Sequence, residues 1–173
     1  MEITRTKLGI FIIKTDVFHD ERGFFSEIYN ENKYSKIQKN LLFKQDNFSI
    51  SKYGVLRGLH YQKSPKAQSK LIQIINGEIF DVVVDIDKNS KTFGQHESFY
   101  LTKNTQIFIP SNFAHGFQSL SNESIMLYKC TETYSKEHET TIAWNDPEIN
   151  INWPIKKPII SEKDLQTAVR LLK

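Results

Sequence analysis

A chain of 173 residues, 39% hydrophobic and 12% aromatic, has the length of one domain and enough apolar content for its own core. Its formal charge of +3 is small and its lysines are scattered among acidic residues, which excludes a basic footprint for nucleic acid and reads as a solvated mixed-charge surface. A single cysteine, Cys130, excludes an internal disulfide and reads as a buried thiol. The apolar run over 8–13 is too short for a signal segment or a membrane span, so a cytoplasmic protein is expected.

Short apolar runs separated by turn residues then succeed one another. Strands are predicted over 9–14 and 24–29 and a helix over 30–39. Further strands are predicted over 42–51, 55–62, 70–75, 78–86, 96–101, 106–109, 115–120 and 125–131. A last helix is predicted over 162–172 with Ser161 as its N-cap. Asn76-Gly77, between two apolar runs, predicts a type I′ hairpin. No repeat or linker interrupts the series, so a single domain over 1–173 is expected: all-β, a sandwich or barrel with a few short helices.

Parity adds detail. Over 78–87, Phe80, Val82, Val84 and Ile86 share one face and Asp81, Val83 and Asp85 the other. Gln45, Asn47, Ser49 and Ser51 likewise oppose Asp46, Phe48 and Ile50. Such polar faces can line a wet cavity; for either strand alone, a solvent-facing side is the commoner reading.

Four clusters could carry chemistry. Arginine is confined to Arg5, Arg22, Arg57 and Arg170, two of them in Arg-Gly pairs, which suits close approach of a small anionic ligand. The first cluster is 54–62 followed by Lys70; its His60 reads either as a hydrogen-bonded structural imidazole or as a catalyst. Strict alternation separates Arg57 from His60, so both can line one site only through a kink or bulge, expected at Gly58. In the second cluster, over 109–117, Pro110 ends a strand and Gly116 frees the backbone. That leaves His115 at a pocket edge or in the core of the sheet. In the third, Tyr128 and Tyr134 share parity, as core aromatics or with a hydroxyl available as an acid. In the fourth, Ser161-Glu-Lys-Asp164 resembles a capping box, the alternative being an Asp164 that turns inward to orient a histidine. A His-x-His metal motif is missing: the chain reads His60-Tyr61-Gln62 with no acid before Glu78, so a catalytic metal is not expected.

Several motifs occur in order between Phe11 and Asp164: Asp20-Glu-Arg22-Gly-Phe-Phe-Ser-Glu27, Gln45-Asp46-Asn47, Val55-Leu-Arg57-Gly-Leu-His60-Tyr-Gln62, Gln68-Ser-Lys70-Leu, Phe80-Asp-Val-Val-Val-Asp85, Ile109-Pro110 with Phe113-Ala-His115-Gly-Phe, and Trp144-Asn-Asp146-Pro. Together they resemble the dTDP-4-dehydrorhamnose 3,5-epimerase family, and the resemblance covers nearly the whole chain. It implies a cupin-type jelly roll, a homodimer in which an N-terminal strand crosses to the partner, a nucleotide-sugar substrate and no cofactor. By position it makes His60 the general base, Asp164 the carboxylate that orients it, Tyr128 the acid on the other face of the sugar and Lys70 the cation at the C4 oxygen. It makes Arg22, Glu27, Gln45, Asp46, Asn47, Arg57, His115, Glu139 and Lys163 substrate-binding residues, with Tyr134 stacked on the nucleobase and Arg22 reaching the diphosphate from the same or a neighbouring subunit.

Protons at C3 and C5 of a 4-keto sugar are acidic because both carbons flank the ketone; abstraction gives an enolate whose oxygen needs a cation, and inversion needs a proton from the opposite side. Two departures bear on substrate rather than chemistry. Asp87 stands where the family commonly has Arg. Asn112 stands where it commonly has Gly, and Asn tolerates a positive φ there. The alternatives are an enzyme inverting one carbon only, a keto-sugar isomerase, or a sugar-binding cupin without catalysis.

Overall fold

The computed structural model describes residues 1–171. Thirteen strands and two short helices follow in chain order: β1 Glu2–Arg5, β2 Phe11–Lys14, β3 Phe18–Asp20, β4 Gly23–Phe25, α1 Glu31–Tyr34, β5 Gln45–Lys52, β6 Leu56–Gln62, β7 Lys70–Asn76, β8 Glu78–Asp85, β9 His96–Thr102, β10 Thr105–Ile109, β11 Phe113–Ser119, β12 Glu123–Cys130, β13 Glu139–Thr141 and α2 Glu162–Thr167. One sheet runs β1-β2-β10-β7-β12-β5, the other β13-β6-β11-β8-β9, and β3-β4 form a separate hairpin. Every strand pairing is antiparallel. Two facing sheets, between which the strands from β5 onward alternate except for the consecutive pair β8 and β9, make the expected cupin-type jelly roll.

The main core lies between the sheets, where Ile72, Ile74 and Met126 of one meet Ile79, Val83, Phe113 and Phe117 of the other. A second core packs the outer face of the smaller sheet against the segment after β13: Leu56, Leu59, Phe80, Val82 and Val84 meet Ile142, Ile149 and Trp153. β8 is therefore buried on both faces, the reason its sequence is almost continuously apolar. The C-terminal segment is tied to this face by Leu56 N donating to Ile159 O at 2.9 Å, by Ala143 N donating to Val169 O at 2.9 Å, and by Trp153 Nε1 donating to Trp144 O at 2.7 Å.

Several local expectations give way to tertiary context. Asn76-Gly77 is not a hairpin, because β7 and β8 belong to different sheets. Gly77 takes φ +79°, and a Cβ there would lie 2.5 Å from Glu123 O, so the glycine makes a corner against β12. The helix expected over 30–39 is one turn capped by Asn30 and ending at Tyr34, whose buried hydroxyl donates to Gln106 Oε1 at 2.6 Å. The strand expected over 24–29 stops at Phe25. Helix α2 begins on Ser161 as expected but ends at Thr167, where the chain turns extended and Val169 bridges to Ile142; Leu172 of that expectation lies outside the described residues. Asn112 is not among the residues with positive φ, so its turn does not need a glycine. Cys130 is a buried free thiol.

Candidate active site

A cavity of about 690 Å³ opens between the two sheets, floored by the core residues Ile72, Phe117 and Met126. The polar face of β5 supplies Gln45, Asn47 and Ser49 to its wall, so this parity is a cavity lining and not a solvent face. Asp46, on the other side of the same strand, is exposed and takes Lys129 Nζ at 2.9 Å from each carboxylate oxygen; alternation removes it from the cavity.

β6 brings both Arg57 and His60 to the cavity. The register with β11 shifts between His115 and Phe117, and Gly58 takes φ +132° in that stretch, back to back with Gly116. A Cβ on Gly58 would lie 2.4 Å from Gly116 Cα, so only this glycine pair lets the strands approach and the bulge reset the parity. Arg57 is held by Nε donating to Ser51 Oγ at 3.1 Å.

His60 lies 2.7 Å through Nε2 from Asp164 Oδ1, across 104 residues of sequence. Asp164 also donates its backbone N–H to Ser161 Oγ at 3.1 Å, so capping and inward orientation coexist. Burial pushes the Asp164 carboxyl up, but the hydrogen bond and charge of His60 outweigh it and hold it below the usual carboxylate range. An ionised carboxylate at that distance fixes the proton of neutral imidazole on Nε2 and leaves the lone pair on Nδ1.

Tyr128 enters from β12 of the opposite sheet, and burial pushes its phenol above the ordinary value. Lys70 starts β7 beside it; Nζ donates to His60 O at 3.4 Å, and burial lowers its pKa. His115 lines the cavity next to His60, its register partner, with Nε2 2.7 Å from Asp81 Oδ2. It is both buried and cavity-lining, so the two readings of this residue were not exclusive.

The mouth is framed by Tyr134, Glu139 and Lys163. Tyr134 Oη donates to Glu139 Oε2 at 2.9 Å, Lys163 Nζ donates to the same oxygen, and its charge stands 5.9 Å from the Tyr134 ring centre. Burial raises the Glu139 carboxyl, and these two donors more than reverse it. Arg22 and Glu27 are not brought here: Arg22 sits exposed on the β3–β4 turn, paired with Asp20, and Glu27 pairs with Lys33 at 2.7 Å. Sequence reasoning named Gln62 and Gln68 within its motifs but gave them no role; they fasten the mouth loop through Ser135 N to Gln62 Oε1 at 2.7 Å and Gln68 Nε2 to Glu132 O at 2.8 Å. It also missed Ile159 and Ile160, lining residues from a loop with no periodic signal. Among the described residues no group of three or more His, Cys, Asp or Glu is arranged to hold a metal ion.

A family model described as dTDP-4-dehydrorhamnose 3,5-epimerase matches residues 5–171. The dTDP-4-dehydrorhamnose 3,5-epimerase of Methanothermobacter thermautotrophicus is 48% identical over 161 residues, covering 90% of this chain and 86% of that protein. That of Shigella flexneri is 45% identical and covers 95% and 93%. The crystal structure of a dTDP-6-deoxy-D-glucose-3,5-epimerase from Legionella pneumophila, in complex with dTDP-4-keto-L-rhamnose, superposes with a TM-score of 0.93 at 42% identity, covering 98% of this chain and 92% of that one.

Proposed function

The chain belongs to the dTDP-4-dehydrorhamnose 3,5-epimerase family, and from that premise we propose that it converts dTDP-4-dehydro-6-deoxy-D-glucose to dTDP-4-dehydro-L-rhamnose by inverting C3 and C5. It is an isomerase working through proton abstraction and return. The observation that carries the reading is that His60 and Tyr128 stand on opposite sheets around one cavity, which Lys70 also lines. The relative from Legionella pneumophila was crystallised with dTDP-4-keto-L-rhamnose, and 690 Å³ lies within the usual range of about 300–1,000 Å³ for small-molecule sites.

In this mechanism Nδ1 of His60 removes the proton from a carbon next to the ketone, and the imidazolium that forms is stabilised by Asp164. Charge moves to the C4 oxygen, where the Lys70 ammonium meets it. Tyr128, kept protonated by its raised pKa, returns a proton from the other side of the ring and so inverts the centre. Arg57, Gln45 and Asn47 bind the diphosphate and sugar, Tyr134 stacks on the base, and Glu139 and Lys163 close the mouth around it.

Arg22 and Glu27 belong to the same proposal through a second copy. β1 pairs with β2 of its own chain, whereas the β3–β4 hairpin leaves Phe18, Phe24 and Phe25 exposed. Exposed phenylalanines on a projecting hairpin fit an intermolecular contact, so the hairpin is the element that crosses, in a homodimer where Arg22 serves the neighbouring site. A cytoplasmic location is part of the same proposal; no helix among the described residues is long and apolar enough to cross a membrane.

Incubation with dTDP-4-keto-6-deoxyglucose in heavy water tests the reaction. Deuterium at both C3 and C5 of an inverted product is the expected result. Label at one carbon identifies a single-centre epimerase, and no label at either carbon refutes the proposal.

A further inference from the structure

A second cavity, of about 540 Å³, adjoins the first on the outer side of the smaller sheet, and the mechanism above gives it no task. Its lining brings together Lys63, Lys88, Lys136, Lys163 and Arg170 against one carboxylate, Glu139. That carboxylate is already taken by Lys163 and Tyr134. The other four cations form no ion pair among the described residues. Of the acids next to them in the chain, Asp87 accepts the backbone N–H of Asn89 at 2.9 Å, and neither it nor Glu137 lines the cleft. The whole chain carries an excess of only +3, so one cleft holds as much uncompensated positive charge as the rest of the molecule leaves over.

In sequence these cations lie far apart, and each alone reads as a solvated surface residue. Backbone hydrogen bonds gather the segments that carry them. Lys63 N donates to His138 O at 2.9 Å, tying the end of β6 to the loop that holds Lys136. Val169 N donates to Thr141 O and Ala143 N to Val169 O, both at 2.9 Å, laying the segment of Arg170 along β13. Between the cations the wall is apolar: Ile86, Phe93, Ile142 and Val169 line it beside the ring of Tyr61, and Val169 is half exposed. Like charges set around a hollow repel one another until an anion sits among them. An apolar wall between them favours a ligand that also has a hydrophobic part.

We propose that the cleft is a second binding site, one that takes a nucleoside diphosphate with its ring on the apolar wall and its diphosphate among Lys63, Lys88, Lys136 and Arg170. A bare anion uses the cations alone, whereas this lining matches a ligand that has both parts. Its volume of about 540 Å³ lies within the range of about 300–1,000 Å³ usual for small-molecule sites. Tyr61, Glu139 and Lys163 line the cleft and the catalytic cavity alike, so two bound diphosphates stand on either side of one wall of side chains. Their charges repel, and the cleft therefore fills at a higher ligand concentration than the cavity.

Calorimetric titration with dTDP at low ionic strength counts the sites. Two per chain are expected, the second weaker by about tenfold or more. Lys88→Glu combined with Lys136→Glu reverses two charges at exposed positions. The second site should weaken by about tenfold or more while the first stays within about threefold. A single site in the unaltered protein, or a second site indifferent to the charge reversal, overturns the proposal. Inorganic pyrophosphate is the companion probe, its cleft binding read as the part that the charge reversal removes. It should bind there about tenfold or more weakly than dTDP, because it leaves the apolar wall uncovered; equal binding refutes a nucleoside ligand. Should the double variant fail to fold, Lys63→Gln combined with Arg170→Gln is read in the same way. A protein that binds dTDP twice yet exchanges no deuterium would sink the reaction and leave the cleft standing, and an active protein with one dTDP site would do the reverse.

Discussion

Replacing Tyr128 by Phe removes one hydroxyl from the β12 side of the cavity and leaves His60, Asp164 and Lys70 in place. Abstraction should continue while return from the far side fails. The variant is expected to take up deuterium with retention, and formation of inverted product should drop about 100-fold or more; equal loss of label and product would show that abstraction itself needs Tyr128. His60→Ala should lose label and product together. Asp164→Asn should cost less, about 10–100-fold, because it disturbs the tautomer of the base without removing it; rates equal to those of His60→Ala would contradict an orienting role. At this scale the sequence was informative wherever parity spoke. The alternation of Gln45, Asn47 and Ser49 belonged to the cavity, and the same rule argued against Asp46, which motif position alone had placed among the binding residues. Asp81 showed its parity but not its partner, since the pairing of β8 with β11 that brings His115 over it is a tertiary fact.

The bulge in β6 is the element on which the site turns. Gly58→Ala would put a Cβ 2.4 Å from Gly116 Cα at φ +132°, so a loss of at least ~2–3 kcal/mol is expected. In a domain of this size that corresponds to a fall in Tm of about 5–10 °C, with activity lost ahead of stability because Arg57 and His60 part company. A variant with unchanged Tm and turnover would show that the bulge does not need its glycine. Ser161→Ala should cost about 1 kcal/mol through its lost cap and reduce turnover as well, since the same serine fixes the turn that aims Asp164. Gly58 was legible because two residues of opposite parity had to meet. The corner at Gly77 was not, because a glycine turn between apolar runs looks the same whether the next strand folds back in its own sheet or crosses to the other. The early end of α2 was equally hidden: the bridge of Val169 to Ile142 depends on β13, a three-residue strand too short to carry a periodic signal.

For the molecule as a whole, a sandwich or barrel followed from the rhythm of short strands and the jelly roll from the family resemblance, and the missing part is what surrounds it. Charging the hairpin with Phe24→Lys and Phe25→Lys should shift the sedimentation coefficient from dimer to monomer. Activity should fall in step if Arg22 works across the contact, whereas Arg22→Ala should reduce activity with the dimer intact. A double-lysine variant that stays dimeric, or a fully active monomer, would remove the hairpin from the assembly. The pairing of His60 with Asp164 spans most of the chain, and its consequence reaches back to biosynthesis. A ribosome has delivered the base, the cation and the phenol well before it delivers the acid that steadies the base. Until α2 wraps the sandwich, a nascent chain owns the reagents but not their alignment.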